Sequence, residues 1–158
     1  MFPDPDLIWR AFPSILDGMK APPYVLSRGV WRGALNLLVT ESAPGASAYG
    51  VEIPDCQIYA AYEEMIYSCA DHGDRSRVYD GGIYIKEAER SQLLKSFERI
   101  DPLGRKPRHF LFVGGDYCYE TLGFSAPCAR AFPGLEEAYA WARGQDEMAS
   151  RSKLGEGS

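Results

Sequence analysis

Glycine-containing turns between short apolar segments are the feature that most constrains the fold of this chain. They occur at Arg32-Gly33, at Asp80-Gly81-Gly82 and at Gly114-Gly115-Asp116. Tight hairpin turns need positive φ values, which glycine adopts at low cost. Strands joined by hairpins are antiparallel, and no strand–helix–strand rhythm repeats in the sequence. The sequence therefore predicts an α+β fold, with a mostly antiparallel sheet of four to seven strands and two to four helices packed largely on one face.

The segments around these turns are rich in β-branched and aromatic residues, which favour strands. In the third hairpin, counting outward from the turn pairs Val113 with Tyr117 and leaves His109 opposite Thr121. We expect strand segments over Tyr24 to Trp31, Ala34 to Glu41, Tyr49 to Ile53, Arg77 to Tyr79, Ile83 to Lys86, Arg108 to Val113, Tyr117 to Phe124 and Ala126 to Phe132.

Apolar residues at helical spacing predict the helices. Asp55 is the expected N-cap of a helix that reaches Cys69, and a strand over Cys56 to Tyr62 is the alternative. The other predicted helical segments are two short pieces within Asp6 to Met19, a helix over Glu87 to Ile100, and a last helix between Pro133 and Gly144.

Size and composition are those of a chain that folds without disulfides. The 158 residues fit one domain, and apolar residues make up 46% of them, which is too many for a disordered protein. We expect residues 1–144 to form a single globular domain and residues 145–158, rich in Ser, Gly and charge, to form a flexible C-terminal tail. The N-terminus has neither a signal-peptide pattern nor an apolar run, so a cytoplasmic location is expected.

Charge is distributed unevenly along the chain. The 42 residues from Gly33 to Asp74 contain no Lys or Arg, whereas Lys86 to Arg108 has a net charge of +3. An unneutralised acidic segment attracts basic ligands and repels nucleic acid, although solvated faces explain many such runs. The acidic residues of the first segment are Glu41, Glu52, Asp55, Glu63, Glu64, Asp71 and Asp74.

Part of this acidic segment also carries tyrosines at a spacing that places them beside the acids. On the helical interpretation, Tyr59, Glu63 and Tyr67 share an exposed face, and Glu64 lies next to them. Asp71 and Asp74 follow just beyond the end of the helix. The predicted partner-binding residues are therefore Tyr59, Glu63, Glu64, Tyr67, Asp71 and Asp74.

Residues that commonly perform catalysis form no recognisable motif. His72 and His109 have no obvious partner, and Glu120 is interpreted as an outward strand residue. No glycine-rich phosphate loop occurs, and a sequence pI near 5.1 argues against nucleic-acid binding by the basic segment. We predict no catalytic residue, no metal site and no cofactor. The cysteines lack zinc-type spacing and are expected to be buried thiols: Cys56, Cys69, Cys118 and Cys128.

The favoured hypothesis is a non-catalytic protein-binding domain that uses an acidic, tyrosine-rich surface. Its partner would be a protein with a basic surface, such as a toxin that a bacterial immunity protein neutralises. Neither nucleic acid nor a membrane is an expected partner. Two alternatives stay open: a small cytoplasmic enzyme with an unrecognised active site, and an oligomeric structural or regulatory subunit that assembles through an exposed sheet edge.

Overall fold

The computed structural model describes residues 4–41, 47–64 and 82–144, and these ranges contain nine strands and two helices. The helices are α1 (Gln92–Ile100) and α2 (residues 135–144). The predicted strand over Arg77 to Tyr79 and the predicted tail lie outside these ranges. The strands are β1 (Ile8–Ala11), β2 (Tyr24–Trp31), β3 (Ala34–Thr40), β4 (Ala48–Ile53), β5 (Ile58–Glu63), β6 (Ile85–Arg90), β7 (Arg108–Val113), β8 (Tyr117–Gly123) and β9 (Cys128–Phe132).

The strands form two sheets in which every described pairing is antiparallel. One sheet has five strands in the order β1-β6-β7-β8-β5, and the other has four in the order β2-β3-β4-β9. The prediction of a mostly antiparallel α+β fold is confirmed. The predicted count of four to seven strands was too low, partly because β1 and β5 form where apolar spacing favoured helices.

A hydrophobic core lies between the two sheets. Strands of both sheets direct alternate side chains to this core, as the two-residue period of a strand requires. Burying one such aliphatic or aromatic side chain stabilises the fold by roughly 1.5–3 kcal/mol. The buried residues of this inner core are Leu16, Met19, Leu35, Leu37, Val39, Val51, Ile53, Tyr84, Ile85, Phe110, Phe112 and Tyr119.

The faces that point away from the inner core carry two smaller clusters. On the five-stranded sheet, Trp9, Leu111 and Cys118 are buried together, and Leu94 of α1 packs against them. On the four-stranded sheet, Leu38 and Ala138 of α2 share a cluster. The two described helices thus contribute to different clusters, and the placement of helices largely on one face stays a prediction for the whole chain.

Three predicted helical segments were wrong in whole or in part. Residues 8–11 form β1, where Trp9 pairs with Ala88 and is fully buried. Asp55 has a φ of 51°, so it is a turn residue rather than an N-cap, which needs extended backbone. The segment after it forms β5, as the alternative interpretation proposed. Helix α1 begins only at Gln92, because the extended Ser91 caps it, and Glu87 lies in β6.

The hairpin between β7 and β8 has a different register from the predicted one. The Gly114 N–H donates to the Tyr117 carbonyl oxygen, so the turn contains two residues rather than three. Val113 therefore pairs with Cys118, and His109 pairs with Leu122 instead of Thr121. A shift of one residue moves side chains to the opposite face, and it places Glu120 on the same face as His109.

Candidate protein-binding edge

Strand β5 is a terminal strand of the five-stranded sheet and carries two of the predicted binding residues. Tyr59, Ala61 and Glu63 share one face because side chains alternate along a strand. Ala61 packs against the inner core, so this face is the one directed towards the four-stranded sheet. Tyr59 is nevertheless 44% exposed and Glu63 is exposed, because the edge of the core is open here.

Two tyrosines of the neighbouring strand extend this surface. Tyr117 pairs with Glu63, and Tyr119 pairs with Ala61. Tyr117 is 42% exposed, whereas Tyr119 is buried, and their ring centroids are 6.5 Å apart. Sequence reasoning missed both tyrosines, because it placed their partners on a helix. The strand alternative for β5, combined with the correct hairpin register, would have found them.

Arg28 of β2 closes the other side of the opening. It shares a face with its partner Leu37, which belongs to the inner core. Its guanidinium carbon lies 5.9 Å from the centroid of the Tyr119 ring. Burial raises the pKa of Tyr119, and Arg28 offsets part of this rise. Tyr119 is therefore a neutral phenol at physiological pH. The opening forms a groove lined by Val25, Leu26, Ser27, Arg28, Tyr117 and Tyr119.

Asp116, in the β7–β8 turn, connects the two sheets at one end of this groove. Its Oδ1 atom accepts hydrogen bonds from the backbone N–H groups of Val25, at 3.2 Å, and Tyr117, at 2.9 Å. Its carbonyl oxygen accepts the N–H of Glu64 at 2.9 Å. The carboxylates of Glu63, Glu64 and Asp116 therefore lie at the same end. Among the described residues, no Lys or Arg forms an ion pair with Glu63 or Glu64.

We call the set Tyr59, Glu63, Glu64, Asp116 and Tyr117 the tyrosine–acid edge. Three of the six predicted residues belong to it, and Tyr67, Asp71 and Asp74 lie outside the described residues. Another described acid of the segment, Glu52, lies elsewhere. Glu52 lies on the outer face of the four-stranded sheet, because its neighbours Val51 and Ile53 face the inner core.

A second polar cluster is buried on the outer face of the five-stranded sheet. The Ser91 Oγ atom lies 2.9 Å from Nδ1 of His109, and the His109 Nε2 atom lies 3.7 Å from Oε1 of Glu120. The prediction that Glu120 points outward was wrong, because it is fully buried. Burial raises the pKa of Tyr62 to about 12, and the charge of Glu120 and a hydrogen bond to it add to the rise.

This cluster has the residue types of a catalytic triad, yet its geometry is that of a structural site. Ser91 and Glu120 are 0% exposed and His109 is 1% exposed, so a substrate has no access to them. The Ser91 Oγ atom also accepts the Leu94 N–H at 3.1 Å, as a helix N-cap does. The His109 ring packs edge-on against Trp9, with centroids 4.9 Å apart.

The cysteines differ from one another in exposure. Cys118 is buried as predicted, whereas Cys128 is exposed and Cys56 is intermediate. Burial raises the pKa of the Cys56 thiol to about 11, which disfavours the nucleophilic thiolate. In the described parts of the chain, no group of three or more His, Cys, Asp or Glu side chains is arranged to hold a metal ion.

The fold and the edge define a two-sheet antiparallel α+β protein with an open, tyrosine-bearing edge. No protein-family model, no curated protein and no solved structure matches this chain. Within the ranges that the structure describes, no helix has the length and apolar character needed to cross a membrane.

Proposed function

We propose that this chain is a non-catalytic protein-binding domain that captures a basic protein partner through the tyrosine–acid edge. The observation that carries the proposal is the joint position of exposed Tyr59 and Tyr117 with Glu63 and Glu64 at one sheet edge. Two exposed tyrosines, and two carboxylates that form no ion pair with any described Lys or Arg, are suited to contact with lysine and arginine side chains.

Tyrosines and carboxylates would contribute to binding in different ways. A tyrosine brings a large contact area with few rotatable bonds, so its burial supplies affinity at low entropic cost. An exposed ion pair adds only about 0–1 kcal/mol to the free energy of binding. Its main effect is on the association rate, because opposite charges steer the partners together at low salt.

A bacterial immunity protein is the biological role that we favour for this domain. Such a protein occupies the basic groove of a toxin, and the formal net charge of −5 suits that partner. The proposal includes a cytoplasmic location, and it includes neither nucleic acid nor a membrane as a partner. Tyr67, Asp71 and Asp74 remain part of the proposed binding surface as predictions from the sequence.

Charge reversal at the edge tests this proposal. We expect the wild-type protein to retain a partner from a lysate of its native cell, and the double variant Glu63→Lys, Glu64→Lys to lose it. With the purified partner, the double variant should associate about tenfold more slowly at low salt, and the difference should shrink at high salt. Dissociation should change less, because rim charges act mainly on association.

The matched control is the double variant Glu98→Lys, Glu136→Lys, which makes the same change in net charge at exposed helical positions. It should capture the partner as the wild type does. Equal loss in both double variants would mean that overall charge alone governs the interaction. Equal capture by all three proteins would contradict the proposed surface.

A further inference from the structure

We infer that the partner binds as an additional β-strand along β5, through a segment that carries lysine or arginine at alternate positions. This inference rests on the proposed function and specifies how the tyrosine–acid edge recognises its partner. Three features of the structure support it: the direction of the backbone groups of β5, the distribution of charge over the four terminal strands, and the side chains that flank the free edge of β5, which is the edge that pairs with no other described strand.

The register of β5 shows which backbone groups point away from the sheet. The Glu64 N–H donates to the Asp116 carbonyl oxygen, which continues the pairing of Glu63 with Tyr117. In an antiparallel ladder, hydrogen-bonded and non-hydrogen-bonded pairs alternate. Even-numbered residues of β5 therefore bond to β8, and the N–H and C=O groups of Tyr59, Ala61 and Glu63 point to the free edge.

Charge distinguishes β5 from the other three terminal strands. Arg10 lies in β1, Arg28 in β2 and Arg130 in β9, whereas β5 contains Glu63 and no base. Charged side chains on terminal strands discourage the addition of further strands. Arg28 and Arg130 repel a basic segment, whereas Arg10 is already paired with Glu87 on the four-residue strand β1. Glu63 attracts a basic segment, so β5 is the terminal strand whose own charge favours one.

The beginning of β2 is additionally covered by the β7–β8 turn. The Val25 N–H donates to Asp116, and the Gly115 N–H donates to the Pro23 carbonyl oxygen at 2.9 Å. These bonds occupy backbone groups that an added strand would need. The longest of the terminal strands is thus partly blocked, which again leaves β5 as the edge for addition.

Side chains next to the free edge define the chemistry of the added strand. Ala61 is small and lies between Tyr59 and Glu63 on one face, so a long side chain opposite it meets no bulky group from β5. Residues directly opposite or diagonal across a strand pair interact. A lysine or arginine on this face would place its stem against Tyr59 and its charge near Glu63.

The test uses a blocked peptide of about seven residues in which lysine alternates with valine, a length that matches the strand. Hydrogen exchange, followed residue by residue by NMR, should slow at the amides of Tyr59, Ala61 and Glu63 when the peptide is added. The same peptide with glutamate in place of lysine should give no protection. Protection of the β1, β2 or β9 amides instead would overturn the inference.

Two substitutions at one position separate backbone pairing from other contacts. Ala61→Pro removes an outward N–H, a change that terminal strands tolerate, and it should weaken peptide binding by about fivefold to tenfold. Ala61→Gly also changes the side chain at this position but keeps the N–H, so it should bind within about twofold of the wild type. The amide exchange rates of the wild type without added peptide serve as the baseline for both variants.

The outcomes distinguish this inference from the proposed function. If Ala61→Pro binds the lysine peptide as well as the wild type and Glu63→Lys does not, strand addition is wrong while the binding surface stands. If Glu63→Lys has no effect on peptide binding, the surface itself is wrong. Concentration-dependent protection of the same amides without peptide would assign this edge to a second copy of the chain and overturn the inference.

Discussion

Replacement of Ser91 by alanine should destabilise the fold far more than an ordinary polar-to-alanine change in a helix. The Ser91 hydroxyl caps α1 by accepting the Leu94 N–H, and it also lies 2.9 Å from Nδ1 of the buried His109. Loss of an N-cap costs about 1 kcal/mol. A buried ring nitrogen left without its partner costs about 1–3 kcal/mol more.

The two contributions together lower the free energy of unfolding by about 2–4 kcal/mol. This is a large part of the total stability of a single domain, which is about 5–15 kcal/mol. Urea unfolding followed by circular dichroism measures it, and a slope near 2 kcal/mol per molar converts the loss into a midpoint shift of about 1–2 M. The control is Ser96→Ala, an exposed position in the same helix, where alanine should be neutral or stabilising.

A double-mutant cycle with His109→Phe separates the two contributions. In that background the ring nitrogen is absent, so Ser91→Ala should cost only the cap, about 1 kcal/mol. A coupling energy near zero would show that the hydroxyl does not stabilise the imidazole. A total loss below about 1 kcal/mol in the single variant would refute the assignment of both roles to Ser91.

Two further predictions concern the ion pairs of β6 and the packing of α2. Burial alone would raise the pKa of Glu87, but hydrogen bonds from Arg108 and Arg10, both at 2.7 Å, lower it below its usual range. Glu87 therefore contributes stability that is present above about pH 4.3 and lost as the pH falls further, so acid titration of Glu87→Gln should show a smaller stability loss than the wild type. Gly50→Ala should destabilise the fold by about 1–3 kcal/mol, because the added carbon would lie 3.0 Å from the Trp141 ring. Thermal unfolding compares it with Gly144→Ala, where the described structure has no heavy atom within 4 Å of the added carbon; equal melting temperatures for the two variants would contradict the packing of α2.

Local turn chemistry made two hairpins predictable, β2–β3 and β7–β8. Arg32 and Gly33 have φ values of 47° and 72°, and strands β2 and β3 flank them as the sequence indicates. The division of the strands into two sheets was not predictable in the same way. It depends on which distant strands pair, such as β4 with β9, and turn residues carry no information about those pairings.

Strands β1 and β5 show why short apolar segments are ambiguous. Their apolar residues fit a helical face and a strand face about equally well over so few positions. Pairing with β6 and β8 decides the outcome, because it satisfies the backbone groups, buries Trp9 in one case and packs the partly buried Ala61 against the inner core in the other. Tertiary contacts therefore override the local preference at both strands.

Part of the candidate site was nevertheless predictable despite the wrong helix. Tyr59 and Glu63 are four residues apart, and a separation of four places two side chains on the same face of either a helix or a strand. Glu64 is one residue further and leaves that face in a strand. Tyr117 joins the site only through pairing of β5 with β8, so no local pattern indicated it.

Glu63, at the end of β5, affects both the binding of a partner and the pairing of this strand with a second copy of the chain. A terminal strand with small, uncharged residues in its middle, such as Ala60 and Ala61, is open to any added strand. A second copy of this chain would bring its own Glu63 and a further formal charge of −5 to the contact, which opposes pairing at low salt. A basic segment gains from the same charge. Glu63 therefore favours a basic partner over a second copy, because it attracts the first and repels the second. Removal of that charge should narrow the difference between the affinity for a basic partner and the affinity for a second copy.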